Sequence, residues 1–140
     1  MNVTGTFAGN PLTTAAGVAQ IDTLVSDPTT CPKLEALGDR MRAGITSVLN
    51  ELGIQGFVTG IGSMWGTHFS STTPTSAQDK LADNRTASRL LAAYLLLEGV
   101  LMSSPVHLSF LSTEHSENDV DAVIDAHRAA LIRMRRDACM

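Results

Sequence analysis

Gly5-Thr6-Phe7-Ala8-Gly9-Asn10-Pro11-Leu12 lies at the start of the chain and reads as a glycine-bracketed turn that delivers the backbone into a helix. Asn10 offers a side-chain oxygen to the exposed N–H groups of a new helix, and Pro11 suits the first helical position, where its missing N–H costs nothing. Gly5 frees the backbone beside Thr6, so the turn groups several N–H donors and one hydroxyl in a form able to meet an anion such as a phosphate. A capped helix start with no ligand accounts for the same residues.

Outward from this turn, apolar periodicity predicts four helices and a small sheet. The first helix, about Pro11 to Val25, sets Leu12, Ala15, Ala16, Ala19 and Leu24 near one face, while Val18, Ile21 and Val25 widen the apolar surface and call for cover on two sides. After Ser26-Asp27-Pro28, a second helix from about Pro32 to Leu52 carries Leu34, Leu37, Met41, Ile45, Val48, Leu49 and Leu52 at three- and four-residue steps. Gly53 ends it. Gln55 to Ser70 holds Phe57, Val58, Ile61, Met64, Trp65 and Phe69 among glycines, which suits two short strands joined or kinked at Gly60-Ile61-Gly62. Ser70 to Asn84 is the most loop-like stretch. A third helix, about Thr86 to Glu98, is expected to bury Leu90, Leu91, Tyr94, Leu95 and Leu97 before Gly99. Val100-Leu101-Met102 and Val106 to Leu111 have strand character, and Ser116 with early acids opens a last helix striped by Val120, Val123, Ile124, His127, Leu131 and Met134. The fold class is α+β, with helices packed on one face of a small, mostly antiparallel sheet.

Composition narrows the function classes. The chain has 140 residues, 44% hydrophobic and 17% charged, enough for a core of its own. A formal net charge of -4 and the lack of a basic stripe argue against nucleic acid as a partner. Its arginines cluster instead at the end of the last helix (Arg128, Arg133, Arg135, Arg136), where cations complement the helix dipole. Leu90 to Leu97, the longest apolar run, is far short of the roughly 20 residues a membrane span needs, and Met1-Asn2-Val3-Thr4 has no secretory character. Cys31 and Cys139 fit no metal or redox motif and read as free thiols in a reducing compartment, so a cytoplasmic setting is expected.

Reactive constellations are scarce. His68, His107, His115 and His127 lack metal-ligand spacing. Gly60-Ile61-Gly62 spaces as G-x-G-x-x-x-G with no helix pattern after it, unlike a dinucleotide fingerprint. No serine sits in a G-x-S-x-G elbow. Among Asp79, Asp83, Asp119, Asp121 and Asp125, the pair Asp121 and Asp125 falls four apart on the last helix and reads as a solvated face.

Taken together, Gly5-Thr6-Phe7, Gly9-Asn10-Pro11-Leu12 and Ala15-Ala16-Gly17 resemble the G-T-[FY]-x-[GN]-N-P-L-x-x-A-A-G segment of class III pyridoxal-phosphate (PLP) aminotransferases. Thr59-Gly60-Ile61-Gly62-Ser63-Met64, Glu98-Gly99-Val100, Leu111-Ser112-Thr113, His115-Ser116 and Asp119-Val120-Asp121 follow in the order of that family's C-terminal part. The likeness covers nearly all of the chain and is greatest to the glutamate-1-semialdehyde aminomutase and β-amino-acid aminotransferase branch. It implies the small C-terminal domain of a fold-type I PLP-dependent transferase, with residues 1–30 as phosphate-contact loop and bridging helix and 31–140 as the α+β domain.

The resemblance also implies a division of labour. Such enzymes hold PLP as a Schiff base on a lysine a few tens of residues before the G-T-F segment, a position that would precede Met1. Lys33 and Lys80, the two lysines present, fall elsewhere and read as solvated charges. The catalytic residue set is therefore empty. Gly5 and Thr6 are the cofactor-binding candidates, the threonine reaching across a dimer interface to the phosphate of PLP on the other subunit. His115 is expected to hold a structural hydrogen bond. Implied partners are a second copy or a separate PLP-binding half, with a small-molecule amino donor and acceptor in the complete enzyme. A stand-alone, non-catalytic interaction or dimerisation domain is the alternative. Val106-His107 stand where aminomutases show an aromatic-glutamate pair, and Ser103-Ser104-Pro105 is more like the β-amino-acid branch, which leaves the substrate open.

Overall fold

The backbone of the opening segment turns twice before it becomes helical. In the computed structural model, which describes residues 5, 7–72, 83–102 and 108–137, the Ala8 N–H donates to the Gly5 carbonyl at 3.0 Å and the Asn10 N–H to that of Phe7 at 3.2 Å. Asn10 Oδ1 then accepts the N–H groups of Leu12 (2.9 Å) and Thr13 (3.3 Å), so helix α1 (Pro11–Ser26) starts with the cap and the first-position proline that its sequence predicts. The chain divides into two units, residues 1–33 and 34–140. Within the first, no residue of α1 is buried.

Helix α2 (Thr30–Glu51) starts before the predicted Pro32. Asp27 is the reason: its Oδ1 accepts the N–H (2.9 Å) and hydroxyl (2.6 Å) of Thr29, and its Oδ2 accepts the Thr30 hydroxyl at 3.1 Å. Pro32 falls inside the first turn, where an absent N–H is no loss. At the far end, the Gly53 N–H bonds the Asn50 carbonyl and the Ile54 N–H bonds that of Leu49. That paired closure needs a left-handed residue between, and Gly53 supplies it with φ of 61°. Helix α3 (Arg85–Leu97) ends in the same way: Gly99, at φ 86°, donates to Leu96 and Val100 to Leu95.

Strands β1 (Phe57–Thr59), β2 (Met64–His68) and β3 (Ser109–Phe110) form an antiparallel sheet in the order β1-β2-β3. Phe57 is opposite His68, Thr59 opposite Gly66, and Trp65 opposite Ser109. The predicted hairpin is thus present. A predicted strand at Val100-Leu101-Met102 is not: the Val100 N–H is committed to closing α3, and Leu101 is 82% exposed. Leu97 likewise departs from expectation and is exposed, because the helix buries the stripe of Ala87, Ser88, Leu91 and Leu95. Residues 103–107 lie outside the described residues.

Helix α4 (Glu117–Arg136) begins with a capping box, in which the Ser116 side chain accepts the Asp119 N–H while the Asp119 carboxylate accepts the Ser116 N–H. Its stripe packs on α3 and on β2. One apolar cluster joins Val48, Leu49, Phe69, Leu91, Leu95, Leu131 and Met134; a second joins Leu37, Met41, Ile45, Trp65, Leu111 and Val120, with Val58, Met102 and Ile124 touching both. Each fully buried large aliphatic contributes about 1.5–3 kcal/mol of burial free energy. The result is an α+β arrangement of four helices and a small three-stranded antiparallel sheet.

Candidate functional site

Nothing crowds the opening turn: Gly5 is exposed, and a Cβ built there would meet no atom within 4 Å. The N–H groups of Ala8 and Asn10 are used inside the turn, and those of Gly5, Phe7 and Gly9 make no hydrogen bond among the described residues. The turn has no carboxylate and no amine in its sequence. A turn that carries N–H donors and no ionised carboxylate fits a phosphate and offers no amine nucleophile. Thr6, the candidate hydroxyl donor, lies outside the described residues, as do Lys80, Asp79, His107 and Cys139.

Other polar groups of the sequence analysis are explained by the second unit. His115 Nδ1 accepts the Ser112 N–H at 3.0 Å and meets the Ser112 hydroxyl at the same distance, which is the expected hydrogen-bonding role. Asp121, read as part of a solvated face, is at the surface and holds Arg40 there through two bonds of 2.8 Å. The Arg40 bonds keep the Asp121 carboxyl below the usual carboxylate range. Arg128, Arg133 and Arg136 each pair with a carboxylate, those of Glu51, Glu98 and Asp137.

His127 is fully buried, as its stripe position predicts, and burial pushes its imidazole down to about 4. It is therefore neutral near pH 7. The Val123 carbonyl, 2.8 Å from Nδ1, accepts the ring N–H, and Trp65 meets the ring edge-on at 5.3 Å.

Sequence reading missed a second buried histidine pair. His68 Nδ1 lies 3.0 Å from Asp83 Oδ2, its Nε2 lies 2.8 Å from the Thr59 hydroxyl, and the ring stacks on Phe57. Asp83 Oδ1 accepts the Phe69 N–H at 2.8 Å, while the Asn84 N–H donates to the Phe69 carbonyl. This network bolts residues 83–84 to the end of β2. Its members are far apart in sequence, so no local pattern could announce it. Among the described residues no group of three or more His, Cys, Asp or Glu side chains could hold a metal, and no helix is long and apolar enough to cross a membrane.

No protein-family model matches the chain. Over 131 residues, 91% of its length, it is 37% identical to the glutamate-1-semialdehyde 2,1-aminomutase of Thermus thermophilus, of which it covers 30%. It matches the β-phenylalanine aminotransferase of Variovorax paradoxus with a TM-score of 0.80 and 29% identity, over 97% of this chain and 31% of that one. The chain belongs to the class III PLP aminotransferase family. Within that family it corresponds to the C-terminal part, and it spans about 30% of the length of the relatives it matches. A further family structure, the PLP internal aldimine form of FumI from Sphingopyxis sp. MTA144, aligns with 99% of this chain and 31% of that one, at 25% identity and a TM-score of 0.73. The buried histidines His68 and His127 both lie in the second unit, residues 34–140.

Proposed function

We propose that this chain supplies the C-terminal share of a PLP-dependent transaminase or aminomutase, with Gly5 and Thr6 contacting the cofactor's phosphate. The 37% identity to an aminomutase over 91% of the chain carries the reading, and a turn without carboxylates supports it. PLP, when bound, supplies the electron-withdrawing ring through which an amino group is exchanged. This chain's part is to bind and orient: the Thr6 hydroxyl and the N–H groups beside it hold an anion, and α1 links that turn to the α+β domain. The nucleophilic lysine comes from outside these 140 residues, either on a second polypeptide or on a further part of the same one. The substrate is an amino acid or amino-aldehyde, and the setting is cytoplasmic.

Mixing PLP with the chain alone and with the N-terminal part of the Thermus aminomutase tests this. Alone, the chain is expected to give no Schiff-base absorption; the mixture is expected to retain PLP, and Thr6→Val to weaken that retention. Borohydride trapping of PLP on Lys33 or Lys80 of the isolated chain would overturn the proposal. A second reading, a non-catalytic interaction or dimerisation domain, is favoured by one observation, the absence of any buried residue in α1. Under it, the mixture gains no PLP-dependent amino transfer although the two parts associate.

A further inference from the structure

A cavity of about 500 Å³ opens where the end of α2, the end of β2 and the start of α3 converge, entirely within residues 34–140. Its lining is polar and one-signed. Among the described residues Arg135 is the only charged one there; Gln55, Ser70, Ser71 and Asn84 add amides and hydroxyls, and Phe69 gives it an apolar wall. Among the described residues no carboxylate lines it.

Arg135 differs from its neighbours on α4. Arg128, Arg133 and Arg136 each hold a carboxylate, whereas Arg135 bonds only the Leu52 carbonyl, through Nη1 at 2.6 Å, among the described residues. That bond steers the guanidinium while leaving further N–H donors of its planar fork for an oxyanion. The wall opposite is equally fixed. Phe69 and Asn84 are tied together by backbone hydrogen bonding and by the Asp83 carboxylate, which His68 holds from behind. A preset cation in a concave polar site, with no competing carboxylate among the described residues, is the arrangement that binds anions with little reorganisation.

We infer that this cavity binds a small molecule through an oxyanion, carboxylate or phosphate, with Arg135 as the anchoring charge and Ser70, Ser71 and Gln55 as neutral donors. The site draws on residues other than Gly5 and Thr6 and stands whether or not that turn meets PLP.

Backbone amide NMR of the full chain, titrated in parallel with inorganic phosphate, succinate and chloride at matched ionic strength, tests the inference. Saturable shifts at Gly53, Gln55, Ser70 and Ser71 are expected with at least one oxyanion and not with chloride; which of the two saturates first tells phosphate from carboxylate. Arg135→Gln should weaken that binding on the order of tenfold, and Ser71→Ala, on an exposed residue, should weaken it less while leaving the fold intact. Shifts equal for chloride, shifts elsewhere only, or unchanged affinity in a folded Arg135→Gln protein would overturn it.

Discussion

His127 couples the core to pH. Its imidazole is neutral in the folded chain because burial holds it down to about 4, whereas an unfolded histidine titrates near 6.5. The unfolded state therefore takes up the proton first, and stability is full above about pH 6.5 and falls as the pH drops toward 4. The loss across that window is on the order of 3 kcal/mol. Urea midpoints measured from pH 7.5 to 4.5 should follow this slope in the native chain and flatten in His127→Leu. Asp119, Asp121, Glu51 and Asp137, held below the ordinary carboxylate range by hydrogen-bonding partners, add their loss only at lower pH. Gly38 is the second sensitive residue. A Cβ there would lie 1.9 Å from the Gly62 carbonyl oxygen, which Arg42 also holds at 2.8 Å, together with the Met64 carbonyl. Gly38→Ala gains about 1 kcal/mol of helix propensity but forces the hairpin turn away, at about 1–3 kcal/mol or more. A lower melting temperature is expected. The stripe position of His127 was legible in the sequence. That of His68 and Asp83 was not, since their pairing depends on a chain reversal between them.

At the scale of elements, most helix ends were readable because each uses a local device: Asn10 before Pro11, Ser116 before Asp119, glycine after α2 and α3. The strand expected at 100–102 failed for an equally local reason, since a glycine closure consumes the N–H of Val100, three residues beyond the helix. Ser116→Ala removes a capping box and should cost about 1 kcal/mol, read as an earlier denaturant midpoint. Gly17 makes a contrasting test within α1. A Cβ there meets nothing within 4 Å, so Gly17→Ala should add roughly 0.4–1 kcal/mol by stiffening the unfolded chain, visible as higher helix content on heating. A loss of helicity instead would mean that this position faces a partner in solution.

For the molecule as a whole, the order of short motifs carried the family. Leu12, Val18, Ile21 and Val25 are each more than half exposed on α1. Apolar surface of this kind favours association. Gel filtration is expected to show a dimer or larger species, with binding of a hydrophobic dye when diluted to monomer. A tight monomer that ignores the dye would count against α1 as a bridging element.

Because the Asn84 N–H bonds the Phe69 carbonyl and Asp83 ties the Phe69 N–H to His68, the two ends of the stretch between them are held together. Lengthening it should disturb the core little, as each doubling of such a span adds only about 0.6 kcal/mol of closure entropy. An epitope or fluorophore carrier spliced after Thr72 would thus report on assembly of this chain without interfering with its folding.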